Sequence, residues 1–349
     1  MTFFSLVVSF LVTFAACPFL RRLALRWGIV DHPEARKLQK SPVPLLGGVA
    51  IYLGVVLASL TVPLYEKFHL DLFISSTLIF VVSLIDDKHK LSAKVRILVQ
   101  FTAATILIVN GLRISFLPNT LLFNILEVLI TFMWILGMTN AFNYLDGVDG
   151  LCSGLGIVTS FFFFAILFST GQKDLMFLPV AVMGACLGFL PHNLRDKKMF
   201  MGDSGSMFIG FTVAAFALLG SWAGNDIIKI SIPILILGVP IFDMTFTTIM
   251  RYREKKIKNV VEWLEYAGRD HFHHYLMDLG LRSRGTAYFI LSVSVSMGLS
   301  ALIIANSSRP INAFLTMFKS AIMFGLISVL MVLGRRRHKE AQVKERMGI

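Results

Sequence analysis

The chain has 349 residues, 56% of them hydrophobic and 15% charged, with a mean hydropathy of +0.73 and a formal net charge of +12. That balance excludes a soluble globular domain, in which about 25% of residues are charged, and describes a polytopic membrane protein. The positive excess has two readings: basic loops retained on one side of a bilayer, or a field that draws in a phosphate-bearing substrate. It does not describe a nucleic-acid module, because no basic helix or aromatic-interleaved basic stretch accompanies it.

A helix needs about 20 apolar residues to cross the hydrocarbon, and runs of about that length predict eleven spans. They lie near 2–20, 45–65, 71–86, 95–110, 121–139, 155–171, 175–192, 206–223, 227–250, 286–307 and 313–333. The first reads as a retained anchor, since no cation precedes it while Arg21, Arg22 and Arg26 follow. One alternate set of connections is then 21–44, 87–96, 140–154, 193–205, 251–285 and the tail 335–349, holding about 27 of the 33 Lys and Arg. Only about five, Lys67, Arg113, Lys173, Lys229 and Arg309, lie at the opposite side. Positive residues in short loops stay cytoplasmic. The expected fold is therefore one all-α transmembrane domain over 1–349, N-terminus outside and C-terminus cytoplasmic. On the outer side, Gly111 to Thr120 is expected as a small hairpin. In the longest cytoplasmic loop, Val260 to Tyr266 is the candidate for an amphipathic interfacial helix. Cys17, Cys152 and Cys186 have no metal-ligand spacing.

The polar clusters all fall on the basic side. In the first cytoplasmic loop Arg36 and Lys37 lie between Asp31-His32-Pro33 and Pro42, Pro44, Gly47 and Gly48; they serve topology or contact a phosphate. Asp86-Asp87 closes the third span, either as simple helix termination or as two repelling acids with raised affinity for a cation or proton. Asn140, Asn143, Asp146 and Asp149 step by three, a period that lines one face of a tight helical turn. Gly147 and Gly150 then let the backbone approach a ligand; an exposed turn has the same composition without the period.

Asn193 follows the apolar end of the seventh span, positioned to bond into the same cavity. The run FMGDSGS, Phe200 to Ser206, precedes the eighth. A carboxylate among glycines and hydroxyls suits Mg²⁺, which takes one or two carboxylates together with waters and substrate phosphate oxygens; alternatively Asp203 or Ser204 caps the helix that follows. Span nine carries Pro233 and Pro240, which kink helices, and Asp243, which must face a cavity or a partner. In Arg269-Asp270-His271-Phe272-His273-His274, His271 and His274 share a helical face, and Asp270 stands where it can orient His274. The zincin pattern is absent. With no Walker-type loop in the chain, phosphates would be held by metal and basic side chains.

In this order and on this layout, Asp-Asp, NxxNxxDGxDG, FMGDxGS and HxHH resemble the polyprenyl-phosphate N-acetylhexosamine-1-phosphate transferases, the MraY/WecA/TagO-like glycosyltransferase family 4. The resemblance runs from the Asp31-His32-Pro33 loop to the histidine motif. It implies transfer of a HexNAc 1-phosphate from a UDP-sugar to undecaprenyl phosphate with release of UMP, at the cytoplasmic face of a bacterial inner membrane, early in a cell-envelope polysaccharide pathway. It further implies Mg²⁺, with Mn²⁺ as substitute, held by Asp203 and with Asp86 and Asp87 as further candidate ligands. Asp86, Asp87, Asp203 and His271 would be catalytic. Asn143, Asp146, Asp149, Asn193 and Phe200 would bind the nucleotide sugar, Phe200 by stacking on uracil, and Arg36, Lys37, His273 and His274 would contact phosphates.

HxHH and an eleventh span resemble the WecA/TagO-type branch, which implies UDP-GlcNAc; MraY-type enzymes usually show ten spans and consecutive histidines, and their pentapeptide substrate ranks second. The chain departs from many WecA-type loops in lacking a Ser- and Pro-rich stretch before the histidines, where it carries residues 261–270 instead. A homodimer is compatible with the family. An ion-coupled secondary transporter is the reading from another class, though that design puts its polar residues near the midplane within inverted repeats.

Overall fold

A computed structural model describes residues 2–33, 41–61, 67–195, 198–259, 262, 266, 268, 270–307 and 309–347. Its helices are α1 (Thr2–Trp27), α2 (Gly47–Ser59), α3 (Lys67–His89), α4 (Ala93–Val109), α5 (Leu121–Leu145), α6 (Leu151–Ser169), α7 (Phe177–Leu194), α8 (Gly202–Leu219), α9 (Asp226–Ile236), α10 (Gly238–Arg253), α11 (Phe272–Asp278), α12 (Ser283–Ala305) and α13 (Pro310–Met347). Each expected span finds a helix. Among the described residues, seven helices are long and apolar enough to cross a membrane: α1, α5, α6, α7 with its preceding turn, α8, α12 and α13. The ninth span is two helices, α9 and α10, meeting at a 76° bend. Counting the bent pair as one crossing makes eight. α2 and α4, at 13 and 17 residues, fall short of the roughly 20 residues a crossing takes.

α8 is the hub. It packs against α2, α3, α5, α6 and α7, and 83% of its apolar window is buried inside the protein, so it meets other helices rather than lipid. Close approach is what its sequence permits: a Cβ on Gly48 of α2 would collide with the backbone of Gly205. Small residues bring helix backbones together where lipid is as apolar as the core and hydrophobic burial drives nothing. On the flank, α1 buries Ser5, Ser9, Thr13 and Cys17, four residues apart along one stripe, and packs against α2 and α7.

Two connections position the site. Residues 30–31 and 43–44 pair antiparallel, Val30 opposite Pro44, which returns the first loop to the start of α2. There the Phe200 amide donates to the Pro44 carbonyl at 2.8 Å, and the Gly47 and Gly48 amides donate to the Phe200 and Met201 carbonyls at 3.0 and 2.8 Å. The segment leading into α8 is thereby stitched to the start of α2. At the other end of the bundle, residues 111–120 form an irregular loop, not the expected hairpin. Buried Glu127 accepts from the Phe116 and Leu117 amides at 2.8 Å each, and Thr131 from the Ile114 amide at 3.0 Å. Those side chains satisfy the backbone that a strand partner would otherwise satisfy. The expected interfacial helix at 260–266 lies outside the described residues apart from Glu262 and Tyr266.

Candidate active site

The C-terminal ends of α3 and α5 and the N-terminal end of α8 meet at one end of the bundle. Asp86 and Asp87 are one turn from the end of α3 and face different partners. The Asp87 carboxylate accepts from the backbone amides of Asp203 and Ser204, at 2.7 and 3.1 Å. Asp86, buried, accepts from the Leu91 amide where the chain turns through Lys90 at φ 47°. That turn sets the start of α4, capped by Ser92, and carries Arg96 back over the acids. Arg96 Nη1 lies 3.4 Å from Asp86 Oδ2 and 3.6 Å from Asp203 Oδ2.

Asp203 is the acid with room to act. Asn143 Nδ2 donates to its Oδ1 at 2.8 Å and also reaches Ser206 Oγ at 3.0 Å, while its side chain keeps 36% of its surface exposed. The expected alternative, in which Asp203 or Ser204 caps its own helix, is not what forms: α8 has no side-chain cap from its N-cap residue, and Asp87 supplies that function from α3. Gly202 makes this fit, with φ 74° and a Cβ position only 2.6 Å from Asp87 Oδ2.

The Asn-Asp run continues the cleft. Asn140 pairs reciprocally with Gln100 of α4, at 2.8 and 3.3 Å, one turn before Asn143. Asp146, just past α5, is pushed well above the ordinary carboxyl range, first by burial and then by the charges of Asp203, Asp87 and Asp149. The charges that act on it thus come from α3, from α8 and from its own loop. Asp149 marks the far margin, paired with Lys198 at 2.7 Å. Lys198 also lies 5.0 Å from the centroid of the half-buried Phe200 ring. Asn193 is buried, its Oδ1 accepting from the Gly150 amide at 2.6 Å and its Nδ2 donating to the Met199 carbonyl at 3.0 Å. Both ends of that amide hold the two loops together.

The histidines join this basin through α5. The Tyr144 ring stacks on His271, with centroids 4.4 Å apart, and His273 packs against Gly147, where a Cβ would lie 2.7 Å from Nε2. His273 is buried with neither ring nitrogen hydrogen-bonded. Burial, then the neighbouring His274 and His271, hold its pKa well below the usual histidine value. His274 tilts against it, centroids 4.1 Å apart. Asp270, expected beside His274, is instead gripped by Arg251, at 2.8 and 3.1 Å, and Asp243 stands on His271, 2.8 Å from its Nδ1. Arg36 and Lys37 lie outside the described residues.

Sequence reasoning missed Arg96, Lys198, Tyr144 and Arg251 as site residues. The signal available for Arg96 was electrostatic: three aspartates brought to one place need a counter-charge, and Arg96 is the first arginine after Asp86-Asp87. No periodicity marks the others.

Among the described residues no group of three or more His, Cys, Asp or Glu side chains is disposed as a metal cage. The donor set that is present, a part-exposed Asp203 carboxylate beside further acids, fits a hard cation that keeps waters and shares its shell with phosphate oxygens.

A family model described as glycosyl transferase family 4 matches residues 69–221. The chain is 33% identical over 315 residues to a probable undecaprenyl-phosphate N-acetylglucosaminyl 1-phosphate transferase of Bacillus subtilis, covering 88% of this chain and 86% of that one. It is 31% identical over 318 residues to a decaprenyl-phosphate N-acetylglucosaminephosphotransferase of Mycolicibacterium smegmatis, covering 80% and 76%. With the undecaprenyl-phosphate alpha-N-acetylglucosaminyl 1-phosphate transferase of Escherichia coli K12 it shares 30% over 318 residues, covering 87% and 84%.

Proposed function

This chain belongs to glycosyl transferase family 4, and from that membership we propose that it transfers N-acetylglucosamine 1-phosphate from UDP-GlcNAc to undecaprenyl phosphate, releasing UMP. The observation that carries the reading is the convergence of Asp86, Asp87, Asn143 and Asp203 under Arg96 at one end of the bundle. The named relatives all carry N-acetylglucosamine and a polyprenyl phosphate in their names, which favours this sugar over the phospho-MurNAc-pentapeptide and sets aside the secondary transporter. The same reading puts the basin at the cytoplasmic face of the bacterial inner membrane, with the N-terminus outside and the basic tail inside, by the charge asymmetry of the loops.

A lipid phosphate oxygen attacks the β-phosphorus of the nucleotide sugar. The bond from that phosphorus to the bridging oxygen breaks, and the oxygen leaves with UMP. The nucleophile arrives as an anion with a free lone pair, so the protein's task is to hold two repelling anions in line and offset their charge. Mg²⁺ bound by Asp203 would supply that charge neutralisation at the transferred phosphate, with Asp86 and Asp87 close by. Asn143 orients Asp203, and Arg96, beside Asp86 and Asp203, offers guanidinium donors to the phosphates. Phe200 offers a ring face for uracil, with Lys198 above it. His273 lies buried beside Gly147 with neither ring nitrogen hydrogen-bonded among the described residues.

The test is direct: purified protein in nanodiscs is given UDP-GlcNAc and undecaprenyl phosphate with Mg²⁺, and UMP and the lipid-linked sugar phosphate are measured. Product from UDP-GlcNAc that disappears with Asp203→Ala supports the reading. Product only from another UDP-sugar, or undiminished turnover in excess chelator, overturns the sugar or the metal respectively.

A further inference from the structure

We propose that His271 is a positioning residue and not a group that touches substrate: a buried charge network on α10, built from Asp243 and Arg251, occupies both of its ring nitrogens. The inference rests on the reading of the basin as the transfer site, but its geometry stands on its own.

Asp243 Oδ2 lies 2.8 Å from His271 Nδ1, and Arg251 Nη2 lies 3.2 Å from His271 Nε2. A guanidinium has donors and no acceptor. Nε2 must therefore be the acceptor in that contact, which leaves Nδ1 carrying the hydrogen and donating it to Asp243. The ring edge is thus used on both sides. Its face is used as well, stacked on Tyr144.

The partners are themselves fastened. The other Asp243 oxygen accepts from the Phe272 amide, the first donor of α11, for which His271 gives no side-chain cap. Arg251 forks onto both oxygens of Asp270, and Thr247 Oγ1 donates to the Asp270 carbonyl at 3.1 Å. Lys256 Nζ stands 3.8 Å from Asp270 Oδ2 and also pairs with Glu254. Asp243 is 0% exposed and Arg251 2%. For His271 to take a proton from a substrate or grip a phosphate, it would have to break its contacts with two buried charges, and although Arg251 would keep Asp270, the buried Asp243 carboxylate would be left with the Phe272 amide and no counter-charge, which is the costly direction.

What the network does is set the entry of α11. With His271 pinned to α10 and stacked on α5, the next turn delivers His273 to Gly147 with its nitrogens free of protein partners. Within the motif the labour divides: the first histidine fixes the helix, and His273 packs buried against Gly147. Spacing alone put His271 and His274 on one helical face, and the resemblance implied a catalytic role for His271.

The test uses full-length protein in nanodiscs, with two independent arms. In the first, ¹⁵N-histidine NMR identifies the His271 signal as the one lost in His271→Asn, among the eight histidines of the chain. The expected signal is that of the Nδ1–H tautomer, unmoved by saturating UDP-GlcNAc. An Nε2–H tautomer, or a shift on nucleotide addition, overturns the proposal whatever the turnover. In the second arm, His271→Asn keeps an amide donor near the Nδ1 position and His271→Ala does not. The expected result is kcat within about tenfold of wild type for Asn, the scale of one lost hydrogen bond, a much larger loss for Ala, and an unaltered acid limb of the pH profile in Asn. Equal inactivity of both variants at wild-type melting temperature, or disappearance of that limb, overturns it. Should wild type make no product from UDP-GlcNAc, the proposed function fails while the NMR arm still decides the role of His271.

Discussion

The Asp87 carboxylate sits on the first turn of the helix that carries Asp203, accepting from the Asp203 amide at 2.7 Å and the Ser204 amide at 3.1 Å. A helix start has orphan N–H groups and a partial positive charge, and both are met here by an acid from another helix. This frees the Asp203 side chain for the basin. It also means that the two acids differ in kind, one holding the floor of the site and the other facing into it.

Asp87→Ala is therefore expected to cost stability as well as activity. Loss of a helix cap takes about 1–2 kcal/mol, and α8 is the hub of the bundle. Thermal melts in detergent will show a lower midpoint for Asp87→Ala. Asp203→Ala, in contrast, leaves the midpoint close to wild type while turnover falls by roughly 10²–10³, the scale seen when one electrostatic stabiliser is removed. Equal destabilisation by the two substitutions would contradict this division.

Gly202→Ala tests the same junction through the backbone. At φ 74° an L-residue pays about 1–2 kcal/mol, and the new Cβ would stand 2.6 Å from Asp87 Oδ2. The expected outcome is a loss of melting midpoint at least as large as that of Asp87→Ala. In the Asp87→Ala background the steric part should vanish, so the double variant loses less than the sum of the two. Strict additivity would place Asp87 elsewhere.

Asp146 reports on the charge of the basin. Burial and three neighbouring acids raise its carboxyl, so the unfolded chain releases this proton first, and the metal-free protein becomes less stable as pH rises from about 4 through the raised folded value. In chelator, Asp146→Asn should melt above wild type at neutral pH and show a flatter pH dependence. Adding Mg²⁺ at about a hundred times its Kd should stabilise wild type by about 2.7 kcal/mol and Asp203→Ala by much less. No Mg²⁺ effect on the wild-type melt would count against Asp203 as a ligand.

Acid sensitivity is expected at the histidine motif too, with the opposite sign. Burial alone would raise the Asp270 carboxyl, but the hydrogen bonds and charge of Arg251, with Lys256 nearby, outweigh it and hold the group below its ordinary value. A depressed acid contributes stability that is complete above about pH 4, the unfolded value, and lost as pH falls through the folded one. Melts from pH 6 to pH 3 should show wild type falling below about pH 4. Asp270→Asn should start lower, by about 3–5 kcal/mol for a buried guanidinium left unpaired, and change less over that range. Parallel curves would show that the pair adds nothing to acid stability.

Much of this molecule could be read from its residues alone. Among the described residues, apolar run lengths located the seven helices long and apolar enough to cross a membrane, because the bilayer demands about 20 apolar residues with all backbone groups paired internally. The clusters around Asp86, Asn143, Asp203 and His271 were legible for the same reason: polar groups at membrane depth are costly unless they serve or meet something. Motif order then led to the family to which the chain belongs.

Partnership was a matter for the tertiary structure. Which acid caps α8, which one meets His271, and that Arg96 leans over two aspartates depend on contacts between helices far apart in sequence. Hydrophobic periodicity sets which face is buried but is silent about what lies opposite. Asp270 is the clearest case: helical spacing along one segment pointed it at His274, while a guanidinium on α10, nineteen residues upstream, made the better partner. Buried charges settle on whichever counter-charge the packing delivers, and packing is decided by the whole bundle at once.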